Sequence, residues 1–269
     1  MKIITPVCNN PNFIRIQAQS FAKHIHEPFE FIVFNDCKQW RDYSNFGNPL
    51  IYTEIQRVCQ ELSIRCIDVP NSEHARVKSA SNRHAMTMNY IFGYMKENPD
   101  EYLCIDSDMF LIDTLDLVKW RQTPAYVVYQ ERPGIQYIWP NLFYMDMQRL
   151  PHADLIDFSV TPGADSGGAM HKWLSACPKD DVRYIEYLQS LKWNTLSREY
   201  PDYPALSSFL TTDPRNTSGN FFCEIYDGSI LHYRAGSNWD RRSPGLHATL
   251  TKSLMGLYGF IVEGENMVR

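Results

Sequence analysis

The sequence is 269 residues long, with 44% hydrophobic and 21% charged residues, a composition typical of a globular protein and unlike a disordered or fibrous one. Its net charge of −5 and isoelectric point near 5.9 argue against nucleic acid or an anionic membrane surface as the main partner. A chain of this length can bury a substantial core, in one large domain or in two fused halves.

The sequence carries no recognisable targeting segment. The apolar run at residues 3–7 is too short for a signal peptide, and no stretch approaches the roughly 20 apolar residues of a membrane span. The seven cysteines contain no Cys-x-x-Cys pair, and most lie in apolar segments, where a free thiol behaves as a small hydrophobe. We therefore expect a cytoplasmic protein with reduced cysteines and no transmembrane segment.

The first 112 residues alternate predicted strands and helices. Apolar runs predict strands at residues 3–7, 29–34, 64–69 and 102–105. Helical spacing of apolar residues predicts a helix after each of the first three strands, and Asn-Pro at 10–11 and at 48–49 is a helix-start signal. This alternation predicts a parallel sheet with helices on its faces, and ligands bind such sheets outside the carboxyl ends of the strands.

The second half is less regular. We predict β-structure at residues 125–130, 135–147 and 229–233, and a helix at residues 180–192. The Pro-, Ser- and Asn-rich stretch at residues 194–220 predicts a long loop. Ser243-Pro244 repeats the helix-start signal and opens a predicted last helix.

Two carboxylates, Asp106 and Asp108, follow the fourth predicted strand. Side chains alternate along a strand, so the two residues point to the same side at its carboxyl end. An Asp-x-Asp tripeptide also arises by chance, and this one is distinguished by the apolar run before it and the strand-like residues after it. Carboxylates in apolar surroundings need a positive partner, and a hard divalent cation shared with a phosphate-bearing substrate meets that need.

With these features the chain resembles the GT-A glycosyltransferases, which carry an Asp-x-Asp motif at the end of the fourth strand of a nucleotide-binding half. The resemblance implies a GT-A type α/β fold with a mainly parallel central sheet flanked by helices. It divides one continuous domain into a nucleotide-sugar-binding half (1–112) and an acceptor-binding and catalytic half (113–269). It also implies Mn²⁺ or Mg²⁺ as cofactor, with Asp108 as the main metal ligand and Asp106 near the metal or the ribose.

A second segment, residues 232–239, is similar to the His-x-x-Gly-x-x-Lys-Pro-Trp motif of the retaining family that includes glycogenin. The resemblance implies that His232 completes the metal site, and imidazole suits Mn²⁺ beside carboxylates. Asn238 and Trp239 would then contact the donor. The segment departs from the motif by one extra residue before Gly236 and by Asn238 in place of Lys-Pro.

Further donor contacts are expected at the strand ends and at the start of the third helix. The free N–H groups of a helix start suit a diphosphate, and so does a nearby guanidinium. Alternatively, Ser79 or Ser81 only caps that helix and its arginine is a surface charge. The resemblance places nucleotide contacts at Thr5, Pro6, Asp36 and Arg83 and a donor-sugar contact at Asn141, which is alternatively a turn residue at the start of a strand. Ser107 and Gly167 are further expected donor contacts.

Asp165, which precedes Ser166 and two glycines, is the predicted catalytic base. In an inverting transferase a carboxylate removes the acceptor hydroxyl proton during attack on the anomeric carbon. Glycines allow close approach of the backbone to a ligand. Alternatively, Asp165 is a turn residue that hydrogen-bonds its own backbone.

Together with these residues, the resemblance implies a metal-dependent glycosyltransferase that moves a sugar from a nucleotide-diphosphate donor to a hydroxyl of a glycan or other acceptor with inversion. The resemblance also favours a UDP-sugar as the donor. A retaining glycogenin-like transferase and a non-catalytic nucleotide-sugar or glycan-binding module are the alternatives. A phosphatase of the haloacid-dehalogenase type also uses Asp-x-Asp after a strand. It requires Thr or Val two positions after the second Asp, where this chain has Phe110.

Overall fold

The structure, a computed structural model, describes residues 1–188, 224–234, 236–237, 248–249, 251–252 and 255. The helices are α1 (Pro11–His24), α2 (Ile51–Glu61), α3 (Ala80–Glu97), α4 (Leu117–Trp120) and α5 (His171–Ala176). The strands are β1 (Lys2–Val7), β2 (Glu30–Asn35), β3 (Arg65–Asp68), β4 (Glu101–Ile105), β5 (Met109–Leu111), β6 (Ala125–Arg132), β7 (Ile135–Asp146), β8 (Val182–Tyr184), β9 (Tyr187–Leu188), β10 (Glu224–Tyr226) and β11 (Ile230–His232). In the part of the chain that the structure describes, no helix is both long and apolar enough to cross a membrane.

A seven-stranded sheet with the order β3-β2-β1-β4-β7-β6-β8 forms the centre of the molecule. The first four strands are parallel to one another, β7 runs antiparallel to β4 and to β6, and β8 is parallel to β6. Parallel strands need helical crossovers, and α1, α2 and α3 provide them in the chain order that the sequence predicts. The predicted fold class, a mainly parallel sheet flanked by helices, is confirmed.

Both faces of this sheet are buried. Ile3 and Leu103 belong to one apolar core, which also receives side chains from α1 and α2. Their neighbours in the chain, Ile4 and Cys104, belong to the core on the opposite face, under α3 and α5. A strand that is buried on both faces consists of a continuous run of apolar residues, and for this reason these strands could be predicted from the sequence.

A smaller antiparallel sheet, with the order β5-β11-β10-β9, joins the end of β4 to the last part of the chain. The strand-like residues after the Asp-x-Asp motif form β5, which pairs with β11 so that Met109 lies opposite His232. Asp227, in the turn between β10 and β11, accepts hydrogen bonds from Lys119 Nζ at 2.5 Å and Trp120 Nε1 at 2.6 Å. These bonds hold the β10–β11 hairpin against α4 and thereby fix the position of His232.

The predicted halves on either side of residue 112 share both sheets. β4 pairs with β7 from Glu101↔Asp146 to Ile105↔Leu142, and β5 pairs with β11. Each sheet therefore contains strands from before and after residue 112.

The helix predicted at residues 180–192 is wrong over the part that the structure describes, where β8 and β9 lie instead. Val182 pairs with Ala125 and Tyr184 with Val127, so this segment extends the central sheet. Its apolar residues recur at a spacing that also fits a helix, and pairing with an existing sheet edge overrides that local pattern.

Two helix-start signals act differently from the prediction. Pro11 opens α1, but Asn10 does not cap the helix with its side chain, which donates to Thr251 Oγ1 at 3.0 Å. At the second signal α2 begins only at Ile51, and Asn48 Oδ1 accepts the N–H of Leu50 at 3.0 Å. At the start of α3, the side chain of Ser79 caps the helix by accepting the N–H of Asn82, which is the alternative stated for this segment.

The predicted loop at residues 194–220 and most of the predicted last helix lie outside the described residues. The described residues of that helix, 248–249, 251–252 and 255, are helical.

Candidate active site

A cavity of about 250 Å³ opens at the carboxyl ends of β1, β2 and β4. The parallel strands and the start of α3 bring side chains from distant parts of the sequence to this edge, as the doubly wound arrangement predicts. Seven of the predicted site residues line it: Pro6, Asp36, Arg83, Asp106, Ser107, Asn141 and Asp165.

Asp106 is held firmly in the cavity wall. Its Oδ1 accepts the N–H of Ser107 at 2.8 Å, and its Oδ2 accepts a hydrogen bond from Asn141 Nδ2. Its own N–H donates to the carbonyl of Asn141 at 2.8 Å, and Gln17 Nε2 donates to its carbonyl oxygen, also at 2.8 Å. Asn141 therefore orients Asp106 besides lining the cavity.

Asp108 lies behind the cavity lining and is only 3% exposed. Its Oδ2 accepts the N–H of Ser237 at 3.2 Å, while its Oδ1 is buried with no hydrogen-bond partner in the described chain. Burial, and then the negative charge of Asp106, raise the pKa of Asp108 to about 7. A buried carboxyl with a repelling neighbour loses its proton readily only when a positive charge lies close to it.

His232 faces this carboxylate, with Nε2 3.6 Å from Asp108 Oδ1. Its other ring nitrogen, Nδ1, lies 3.0 Å from Glu224 Oε2. Burial lowers the pKa of His232, but the hydrogen bond to Glu224 and the negative charge of Asp108 outweigh this effect and raise it. Trp139 covers the imidazole at a centroid distance of 5.3 Å.

The residues around Asp108 fit a divalent cation. No group of three or more His, Cys, Asp and Glu side chains among the described residues is arranged as a metal site. A Mg²⁺-like cation does not require such a cage, because it is usually bound by one or two carboxylates, waters and substrate phosphates. The unpartnered Oδ1 of Asp108, with a histidine nitrogen nearby, is a donor set of this kind.

Gly236 packs directly against Asp108. A Cβ at position 236 would lie 2.8 Å from the Cβ of Asp108 and 2.5 Å from Cδ1 of Tyr233. Only glycine therefore fits behind the carboxylate. This gives a physical reason for the glycine of the predicted His232–Trp239 motif, whose Asn238 and Trp239 lie outside the described residues.

At the opposite end of the cavity, Asp36 belongs to a buried polar cluster. Lys38 Nζ donates to Asp36 Oδ1 at 2.7 Å and to His74 Nδ1 at 2.9 Å, and Lys38 is only 1% exposed. Asn71 Nδ2 donates to the same carboxylate oxygen at 3.0 Å, and Thr87 Oγ1 donates to Oδ2 at 2.9 Å. Asp36 thus borders the cavity with its carboxylate already hydrogen-bonded by protein groups.

Arg83 also borders the cavity, but its guanidinium is already paired. Nη1 donates to both oxygens of Asp42, at 2.8 and 2.9 Å, and Nε donates to the carbonyl of Val77 at 2.6 Å. The guanidinium lies 4.8 Å from the ring centroid of Tyr43, which borders the same cavity. Arg83 is buried, so the alternative of a solvated surface charge does not describe it.

Asp165 lies on the exposed lip of the cavity. Its Oδ1 accepts the N–H of Ser166 at 2.8 Å, the local bond expected from the turn-residue interpretation. Ser166 Oγ is 3.0 Å from Nδ1 of His84, which ties this turn to α3.

Two predicted donor contacts, Thr5 and Gly167, are not part of the cavity lining. Thr5 is fully buried in β1 and does not border the cavity, and its hydroxyl has no partner in the described chain. Gly167 has φ +87, and a Cβ there would lie 2.2 Å from the carbonyl oxygen of Ile138. The glycine therefore permits close packing on β7, and a donor contact from either residue stays a prediction.

Lys38, Tyr43, His84 and Glu224 were not predicted from the sequence. For Glu224 a signal existed, because Asp227-Gly228 is a dipeptide typical of two-residue hairpin turns. Both residues have positive φ, 49° and 68°, and the turn sets Glu224 opposite His232. For the other three residues the local sequence carries no such signal.

Comparison with known proteins rests on structure alone, since no protein-family model and no curated protein matches the sequence. One similar solved structure is the galactosyltransferase LgtC in complex with donor and acceptor sugar analogues. The TM-score is 0.51 and the sequence identity 15%, and the match covers 98% of this chain and 98% of LgtC. At this identity the likeness shows the fold: the chain has the α/β fold of a GT-A type glycosyltransferase.

Proposed function

We propose that this protein is a metal-dependent glycosyltransferase that moves a sugar from a nucleotide-diphosphate donor, a UDP-sugar, to a hydroxyl of a glycan acceptor. The observation that carries the proposal is the cavity at the strand ends, which collects Asp36, Arg83, Asp106, Asn141 and Asp165. The full-length likeness to LgtC, a galactosyltransferase, supports the same class of reaction.

The charges along the cavity support the assignment of the diphosphate to the end near Asp106 and Asp108. Both basic side chains of the described lining are already paired, Lys38 with Asp36 and Arg83 with Asp42. Asp106 and Asp108, by contrast, have hydrogen-bond donors around them but no lysine or arginine partner among the described residues. A diphosphate at this end therefore requires a divalent cation between it and the carboxylates.

Asp108 and His232 would hold that cation, with Asp106 near it. When bound, Mn²⁺ or Mg²⁺ would offset the negative charge that develops on the departing diphosphate. On the acceptor side, Asp165 would take the proton of the attacking hydroxyl as its oxygen bonds to the anomeric carbon. The attack comes from the face opposite the diphosphate, whose bond to that carbon breaks at the same time, and this single displacement inverts the configuration.

A retaining mechanism is the second candidate, and one observation favours it. His232 lies beside Asp108, the arrangement implied by the likeness to the glycogenin-type motif. In that case Asp165 would not serve as the base, and the product would keep the anomeric configuration of the donor.

Turnover tests the proposal. The protein should release nucleotide from at least one member of a panel of nucleotide sugars with Mn²⁺, faster in the presence of oligosaccharide acceptors. NMR of the product then gives the anomeric configuration and decides between the two mechanisms. Binding of a nucleotide sugar without release, under all acceptor conditions, would instead support a non-catalytic binding module.

A further inference from the structure

His84 borders the cavity from the first turn of α3 and has one ring nitrogen in use. Nδ1 lies 3.0 Å from Ser166 Oγ, a contact between residues 82 positions apart in the sequence. Nε2 is buried and has no hydrogen-bond partner in the part of the chain that the structure describes. The imidazole is thus anchored on one side and unsatisfied on the other.

A buried ring nitrogen without a partner is uncommon in native proteins, because its desolvation is not compensated. Among the described residues, Nε2 of His84 lacks a hydrogen-bond partner in either neutral tautomer. If Ser166 donates to Nδ1, then Nε2 carries an unused N–H; if Nδ1 donates to Ser166, then Nε2 has an unused lone pair. Since the side chain borders a cavity, a ligand hydroxyl is a suitable partner, because it can both donate and accept.

The position of His84 indicates which part of a donor it would meet. Through Ser166 it is tied to the turn that carries Asp165, the predicted acceptor-side residue. The diphosphate is assigned to Asp106 and Asp108, between the end of β4 and the start of β5. The transferred sugar must lie between the diphosphate and the acceptor, because its anomeric carbon bonds to each in turn.

We propose that His84 is a sugar-contacting residue: its Nε2 forms a hydrogen bond with a hydroxyl of the donor sugar, and Ser166 holds the imidazole in the required orientation. The proposal rests on the proposed function. If the proposal is right, the contact from His84 makes the protein bind a nucleotide sugar more tightly than it would without that contact, and leaves its affinity for the nucleoside diphosphate unchanged.

Two amide substitutions separate this role from simple anchoring of the turn. Asn places its amide near the position of Nδ1, and Gln places its amide near the position of Nε2. His84→Asn therefore preserves contact with Ser166 and removes the unpartnered nitrogen, while His84→Gln does the reverse. Ser166→Ala removes the anchor alone, and His171→Asn on α5, outside the cavity lining, is the matched control.

The experiment is a calorimetric titration of each variant with UDP and with UDP-hexoses in the presence of Mn²⁺. We expect His84→Asn to weaken binding of the UDP-hexose by about five- to tenfold, the size of one uncharged hydrogen bond, and to leave binding of UDP unchanged. His84→Gln should retain more of the UDP-hexose affinity than His84→Asn, and His171→Asn should match the wild type.

Three results would overturn the inference. Wild-type affinity of His84→Asn for the UDP-hexose would show that Nε2 has no sugar partner. An equal loss for UDP and UDP-hexose would assign the contact to the nucleotide. Weaker binding of the UDP-hexose by His84→Gln and Ser166→Ala, with wild-type binding by His84→Asn, would show that His84 only anchors the turn.

If His84→Asn does not fold, the affinities of His84→Ala and Ser166→Ala for the UDP-hexose are compared instead. A larger sugar-specific loss in His84→Ala supports the contact, and equal losses contradict it. Failure of the wild type to bind any nucleotide sugar is a different outcome, because it removes the proposed function and this inference with it.

Discussion

Glu224 and His232 lie directly opposite each other on β10 and β11, and Glu224 Oε2 is 3.0 Å from His232 Nδ1. An ionised carboxylate only accepts, so in the neutral form that binds a metal the imidazole carries its proton on Nδ1 and has the lone pair of Nε2 on the side of Asp108. A carboxylate behind a histidine in this way sets the tautomer and the orientation of a metal ligand. Glu224 is therefore a positioning residue for the predicted metal site.

Glu224→Gln should weaken Mn²⁺ binding by about 10- to 100-fold, because the amide can no longer fix the tautomer of His232 as a carboxylate does. Titration of Mn²⁺ in the presence of UDP, followed by electron paramagnetic resonance, measures the effect. The control is Glu186→Gln, at an exposed position. Unchanged Mn²⁺ affinity in Glu224→Gln would show that His232 needs no orientation from Glu224.

Gly236→Ala should disturb the same site from the other side. The added Cβ would lie 2.8 Å from the Cβ of Asp108, so the carboxylate or the backbone must move. We expect weaker Mn²⁺ binding in a variant that still folds. Gly93→Ala is the control, since a Cβ there meets nothing within 4 Å and alanine is the better helix former, by roughly 0.5–1 kcal/mol. Equal Mn²⁺ binding by the two variants would contradict this account.

The sequence predicted the parts of the molecule that depend on local pattern. Strands such as β2 and β4 are buried on both faces, so their residues form apolar runs with polar residues at the carboxyl end, where Asp36 follows β2 and Asp106 follows β4. Asp106 and Asp165 could be predicted for the same cavity because the topology of parallel sheets is regular.

The pairing of side chains across the cavity could not be predicted. Arg83 is bound by Asp42, 41 positions away, and His84 contacts Ser166, 82 positions away. Local spacing contains no information on such contacts. The helix wrongly predicted over β8 has the same cause, because partner strand β6 decided the conformation of a segment whose own pattern was ambiguous.

Lys38→Met should destabilise the protein by about 3–5 kcal/mol, the cost of leaving a buried charge without its partner. The partner is Asp36, whose Oδ1 lies 2.7 Å from Lys38 Nζ. Adding Asp36→Asn to this variant should recover part of the loss, because the remaining group is then neutral. Urea unfolding measures both effects. Arg76→Met, which breaks an exposed pair with Glu73, should cost less than about 1 kcal/mol. A similarly small cost for Lys38→Met would contradict the assignment of a buried ion pair.

His74 should make the protein less stable in mild acid. Burial, and then the positive charge of Lys38, hold its pKa below the ordinary 6.5 despite the opposing charge of Asp36. Below pH 6.5 the unfolded chain therefore binds a proton that the folded protein rejects, and the free energy of unfolding falls as the pH decreases.

His74→Asn tests this pH dependence, because an amide oxygen can accept from Lys38 and does not titrate. Urea unfolding of both proteins between about pH 7.5 and 5.5 should show a smaller loss of stability in the variant. Parallel curves for the two proteins would mean that His74 keeps the same pKa on folding.

The proposed function requires that this chain bind a nucleoside diphosphate through a divalent cation at Asp108. The most direct measurement is calorimetric titration with UDP in Mn²⁺, repeated after chelation of the metal and with Asp108→Asn. The amide keeps the shape of the side chain and loses the charge that holds a hard cation. We predict binding by the wild type in Mn²⁺, and loss of binding both after chelation and in the variant. Binding that survives chelation and Asp108→Asn, or no binding of UDP, GDP or ADP with either Mn²⁺ or Mg²⁺, would contradict the account.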